Sequence, residues 1–256
     1  MAIFDDLEAE QQRLTGILDA LDEEQWASPS GAAGWTVADV VLHLAQSEEA
    51  VAASVAAASV AGADLTGATL AAILTDRPAG ATTDEVAEQA VRAERAGAGQ
   101  VLQRWQQART GSLAALRAAD PGQPLPWVDA PLKPATLATT RLAEHWAHGL
   151  DIAGPLRIDF PDTERLRHIA WLAHRTLPYA FAGAGLPAAE VSCELTAPDG
   201  MTMWRYGPPG AGSAITGPAG AFCRVAVRRL AADQSGLHAT GPDAATALRL
   251  LRTYAA

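Results

Sequence analysis

The sequence has only two cysteines, Cys193 and Cys223, each inside an apolar segment, so a disulfide-stapled scaffold is excluded by number. Neither belongs to a C-x-x-C pattern, and both read as small buried hydrophobes. Lysine and aromatic residues are scarce, and the remainder, rich in Ala, Leu, Arg and Gly, reflects coding bias rather than a functional signal. Basic charge is outnumbered, with 19 Lys and Arg against 29 Asp and Glu for a formal net charge of −10, and no basic cluster stands out. Nucleic acid is therefore disfavoured as a partner, because phosphate binding rests on a concentrated positive surface. Long apolar runs are missing too: the longest, Ala50 to Ala61, is mostly alanine and too short to span a bilayer. The N-terminus carries Asp5, Asp6 and Glu8 in place of the basic start and apolar run of a secretory signal. No G-x-S-x-G elbow occurs, which disfavours a serine hydrolase. The reading is a soluble, cytoplasmic protein that avoids membranes.

What is present is length and helical periodicity. The 256 residues, 49% hydrophobic, suffice for two domains. Phe4, Leu7, Leu14, Ile17, Leu18 and Leu21 predict a first helix over 3–21. Ser28-Pro29-Ser30-Gly31 breaks the pattern. Thr36 then reads as an N-cap with Asp39 three residues on, opening a second helix that meets no breaker until Gly62, with Trp35 stapling onto Val40. Residues 62–82 read as a loop with one short helix. A long helical pattern follows from Thr83 to Leu116, with a bend at Gly97 and Gly99. Five prolines between Asp120 and Pro134 make a loop, and a fourth helix runs from Thr136 to the stop at Gly154-Pro155. The last hundred residues change character. A helix over 162–181, with Pro178 as an alternative end, precedes a hairpin, Val191 to Thr196 and Met201 to Tyr206, turned at Pro198-Asp199-Gly200. A short strand at 214–216 and helices at 218–230 and 243–254 complete it. The expectation is a four-helix bundle over 1–158 followed by a small α+β domain over 159–256, the boundary lying as late as 185.

One stretch concentrates metal-capable side chains: Glu144-His145-Trp146-Ala147-His148, with Asp151 three residues on. On a helix Glu144 and His148 share a face. His43, two turns beyond the Thr36 cap, can join them, since bundles build metal sites from inward side chains on facing helices. Two imidazoles and one carboxylate suit Zn²⁺, with Ni²⁺, Fe²⁺ or Mn²⁺ as alternatives, and leave a fourth position open. Spacing alone leaves the bland alternatives standing, a core histidine at 43 and a solvated Glu144. Asp151 is placed to orient His148 from behind the ligand set, the alternative being a surface residue at a helix end. His145, about 100° round the helix from Glu144, is set aside as facing a neighbour or solvent. His168 and His174, six apart, read as surface or boundary residues. Arg224 and Arg228, with Arg229, are candidates for holding a carboxylate or the polar body of a cofactor. The competing reading makes them one basic helix face.

The segment Gly34-Trp35-Thr36-Val37-Ala38-Asp39-Val40-Val41-Leu42-His43-Leu44 resembles the second-helix signature of the DinB-like superfamily, in its mycothiol-dependent maleylpyruvate isomerase branch. Glu144 to His148 resembles the later ligand pair, and Phe222 to Arg229 resembles that family's C-terminal part. The resemblance implies a metal-binding bundle with His43, Glu144 and His148 as ligands, and a C-terminal α/β domain helping to form the site of a thiol cofactor, mycothiol. It implies an isomerase or thiol S-transferase acting on a small electrophilic molecule. A metal-water hydrolase or hydratase, and a non-catalytic small-ligand-binding protein, are the alternatives.

Overall fold

The computed structural model describes residues 3–59, 82–128 and 130–253. The chain divides into two compact units, Met1–Phe160 and Pro161–Ala256.

The first unit is helical: α1 (Ile3–Leu18), α2 (Glu23–Ala27), α3 (Val37–Ala58), α4 (Thr83–Ala93), α5 (Ala98–Ala118) and α6 (Pro134–Leu156). The four long helices pack as a bundle, most extensively α3 on α5 and α1 on α6. Leu14, Leu18, Val37, Val40, Val41, Leu44, Val91, Val101, Trp105 and Ile152 form its apolar centre. The interior is not purely apolar. On α1 the gap in the leucine stripe between Leu7 and Leu14 is filled by buried Glu10 and Gln11.

Several boundaries differ from the sequence reading, each for a local reason. Asp22 caps α2 through a reciprocal box with Gln25, so that segment is a short helix rather than a lead-in. The long pattern from Thr83 breaks into α4 and α5, with Gly97 as the N-cap of α5. Pro134 starts α6 instead of closing the loop, because the first helical turn needs no amide there. Pro155 sits inside the last turn of α6, which ends at Arg157 in a left-handed conformation, φ 55°. The loop assigned to 62–82 lies outside the described residues except at Thr82, the side-chain cap of α4.

The second unit contains α7 (Leu166–Gly183), β1 (Val191–Thr196), β2 (Met203–Tyr206), β3 (Ser213–Pro218), α8 (Ala219–Ala226), a 3₁₀ turn (Ala232–Gln234), β4 (His238–Thr240) and α9 (Ala244–Leu250). The sheet order is β2-β1-β3-β4. β1 pairs antiparallel with β2 through the hairpin, with Cys193 opposite Tyr206, and parallel with β3, with Cys193 opposite Ile215. Val191, Cys193 and Leu195 alternate inward along β1, and α7 and α8 pack against each other and against the sheet. Asp199 closes the hairpin by accepting from the amides of Met201 and Thr202, while Gly200 supplies φ 73°. Pro178 lies inside α7 rather than ending it. This is the expected class, a helical N-terminal part followed by a C-terminal α/β part. No helix among the described residues is long and apolar enough to cross a membrane.

Candidate metal centre

The site begins at the start of α3. Thr36 Oγ1 accepts from the Asp39 amide at 3.2 Å, and Asp39 Oδ2 accepts from the Thr36 amide at 3.0 Å, closing the box the sequence predicts. Arg95 adds a bidentate grip on Asp39 at 2.9 and 3.0 Å. This fixes the first turn, and His43 stands one turn beyond Asp39. On α6, Glu144 and His148 face it. Glu144 Oε2 lies 3.5 Å from His148 Nε2 and 3.8 Å from His43 Nε2. One ligand atom from each of the three falls within 4.8 Å of the others. A tetrahedral zinc with bonds near 2.1 Å spaces its ligands by about 3.4 Å, so the donors stand close to the required separation.

Asp151 completes the arrangement on the far side of His148. Its Oδ2 accepts from His148 Nδ1 at 2.9 Å, which places the proton on Nδ1 and leaves Nε2 as the lone-pair nitrogen toward Glu144. Burial lowers the basicity of His148, but Asp151 and Glu144 outweigh it and the net shift is upward. His43, which lacks such a carboxylate behind it, is driven down by burial. For Glu144 burial acts upward, yet the contacts with His148 and His43 and the charge of Arg141 hold its carboxyl well below the usual range. The set therefore presents a carboxylate beside a largely neutral imidazole at His43.

Trp35 forms an aromatic wall to the site, its ring centroid 5.1 Å from that of His43 and 6.3 Å from that of His148. The loop carrying it is tied to α6 by the hydrogen bond from the Gly31 amide to the Asp151 carbonyl at 2.7 Å. That carbonyl is available because its helical partner four residues on is Pro155, which has no amide hydrogen. A Cβ at Gly31 would stand 3.0 Å from the Asp151 Cα, so glycine is what permits the approach.

Beneath the ligands lies a buried polar layer. His145 is fully buried. Its Nδ1 donates to the Arg141 carbonyl at 2.8 Å and its Nε2 accepts from Trp105 Nε1 at 3.3 Å, an assignment forced because a carbonyl only accepts and an indole only donates. Burial lowers its pKa to about 3, so it is a neutral structural histidine. Glu48, also fully buried, accepts from Ser112 Oγ, while its Oε1 has no hydrogen-bond partner. Burial pushes its carboxyl up to about 7.

Of the sequence candidates, His43, Glu144, His148 and Asp151 are brought together. His145 points into the core. Arg224 gives both terminal nitrogens to Asp162, at 2.8 and 2.9 Å, and Arg228 is exposed at the end of α8 with φ 59°. His174 Nε2 donates to the Val191 carbonyl at 2.8 Å and stacks on Tyr206. Cys193 and Cys223 are buried free thiols; burial pushes Cys193 up to about 12 and Cys223 higher still, so neither is a nucleophile at neutral pH. The sequence reading missed Trp35 as a wall, and it missed Glu48. The latter left a signal, a charge standing on the buried stripe of Val37, Val41, Leu44 and Val51.

Residues 7–153 match the family described as mycothiol maleylpyruvate isomerase N-terminal domain. Two uncharacterized proteins from different strains of Mycobacterium tuberculosis are each 35% identical over 252 residues, covering 98% of this chain and 94% of their own. Two crystal structures, of the mycothiol-dependent maleylpyruvate isomerase and of a histidine mutant of it, superpose with TM-scores of 0.59 and 0.60. Each match covers 94% of this chain and 95% of that one, at 15% and 14% identity, a likeness of fold.

Proposed function

Since the chain belongs to the mycothiol maleylpyruvate isomerase family, we propose that it is a metal-dependent enzyme using a low-molecular-weight thiol of the mycothiol kind on a small electrophilic substrate. The observation that carries this reading is the convergence of His43, Glu144 and His148, with Asp151 holding His148 in the tautomer that turns Nε2 inward. Zinc suits the donor set best, with nickel, iron or manganese as alternatives. A divalent ion with one open position lowers the pKa of a thiol bound there and yields a nucleophile near neutral pH. The protein's own part is to keep three donors poised, to fix the His148 ring through Asp151, and to wall one side with Trp35. Addition of the thiol to an electron-poor carbon gives isomerisation through a reversible adduct, or a stable conjugate. Arg228 is retained as a candidate contact for the polar body of the thiol; Arg224 enters only together with Asp162. We place the protein in the cytoplasm, where such a thiol is kept reduced.

Metal analysis of the wild type beside His43→Ala and His148→Ala tests the proposal. The wild type is expected to hold one equivalent of divalent metal and each variant less than a tenth of that. Full metal in both variants overturns the site. Turnover that needs metal and ignores added thiol would assign a metal-water hydrolase or hydratase instead.

A further inference from the structure

We infer that Arg141 is an anion-recognition residue of this site, its guanidinium receiving a carboxylate of the small-molecule ligand. The inference rests on the proposed function only for where that ligand reacts. Arg141 lies on α6 one turn before Glu144, so the two side chains are neighbours on the helix surface. It is the buried arginine among the described residues, 6% exposed. The arginines that grip carboxylates are more exposed: Arg95 holds Asp39, Arg104 holds Glu49 and Glu94, Arg117 holds Asp5 and Glu8, and Arg224 holds Asp162. Arg141 has no such partner among the described residues, and its Nε is shielded from solvent without a hydrogen bond.

A buried cation without a partner is costly, and its retention calls for an anion supplied from outside the fold. Glu48 is the nearest internal candidate, since the two charges sense each other. It does not serve, because it stands beyond ion-pair distance and its carboxyl is turned to the Ser112 hydroxyl. The charge of Arg141 is also felt at His43 and at Glu144, which follows it by one turn on α6. Trp127 packs against the guanidinium, 5.1 Å from carbon to ring centroid, and the Arg141 carbonyl is held by His145. A planar fork held against an indole is oriented for two parallel hydrogen bonds to one carboxylate, a geometry that lysine cannot reproduce. With an overall charge of −10, a local positive group favours the approach of an acidic ligand.

The test is calorimetric titration of the zinc-loaded full chain with maleate, with its uncharged diamide and with inorganic phosphate, in wild type, Arg141→Lys and Arg141→Met. Maleate is expected to bind the wild type, to weaken about tenfold in the lysine variant and at least thirtyfold in the methionine variant, while the diamide binds all three alike and phosphate binds weakly. Denaturant unfolding in the absence of ligand is expected to find Arg141→Met as stable as the wild type or more so. Equal maleate affinity in all three proteins overturns the inference, as does phosphate binding tighter than maleate. A methionine variant that unfolds at lower denaturant also overturns it, since Arg141 would then be a structural counter-charge. No thiol is present in these titrations, so loss of thiol-dependent turnover elsewhere would sink the proposed function and leave this result standing.

Discussion

Glu48 is a residue whose ionisation costs the fold. Its carboxyl is pushed from 4.5 to about 7 by burial, against the charge of Arg141 and the hydrogen bond from Ser112. Between those values the folded state keeps a proton that the unfolded chain has lost. The stabilisation is therefore complete below about pH 4.5 and is lost as pH rises through 7. We expect Glu48→Gln, which cannot ionise, to gain on the wild type by roughly 2 kcal/mol between pH 5 and pH 8, measured by urea unfolding at both values. Parallel stability profiles would mean that Glu48 is ionised throughout. The four residues around the candidate ion were legible in the sequence because a helix turns residue spacing into a shared face: His43 by its distance from a cap, Glu144 and His148 by a separation of four, Asp151 by a further three. Glu48 and Arg141 were not legible in the same way. Spacing reports direction, whereas their chemistry comes from depth and from partners contributed by α5 and by the loop bearing Trp127.

At the scale of elements, signals that act locally were readable and those that depend on packing were not. The Thr36–Asp39 box and the Asp199-Gly200 hairpin are local, and both stand where the sequence puts them. β4 has all three residues exposed, so it offers no alternation to read; it is held by pairing with β3 and by contact with α9. Prolines were over-read as breakers: Pro134 opens α6 at a position that needs no amide, and Pro178 sits within α7, whose tertiary contacts outweigh one missing hydrogen bond. The contact between the Gly31 loop and α6 yields a prediction of its own. Gly31→Ala forces a methyl against the Asp151 backbone and is expected to cost about 1–3 kcal/mol, read as a lower midpoint in thermal unfolding, together with a change in the fluorescence contributed by Trp35. An unchanged midpoint would show that the loop yields freely.

For the whole chain, every candidate ligand atom and the carboxylate behind it lie in the first unit, Met1–Phe160. Saturating zinc is therefore expected to slow amide exchange in 37–58 and 134–156, because binding stabilises what it touches, while 191–196 and 213–218 exchange as before. Equal slowing in the sheet would mean that the second unit supplies a ligand. The likeness of fold to the solved isomerase structures covers 94% of the chain, yet the substrate is decided by a few side chains rather than by the fold. Pro155 shows how far such control reaches. With any other residue at that place, the regained helical amide would share the Asp151 carbonyl with the Gly31 amide and compete for its lone pairs. The two positions, far apart along the chain, are thus coupled through one carbonyl oxygen.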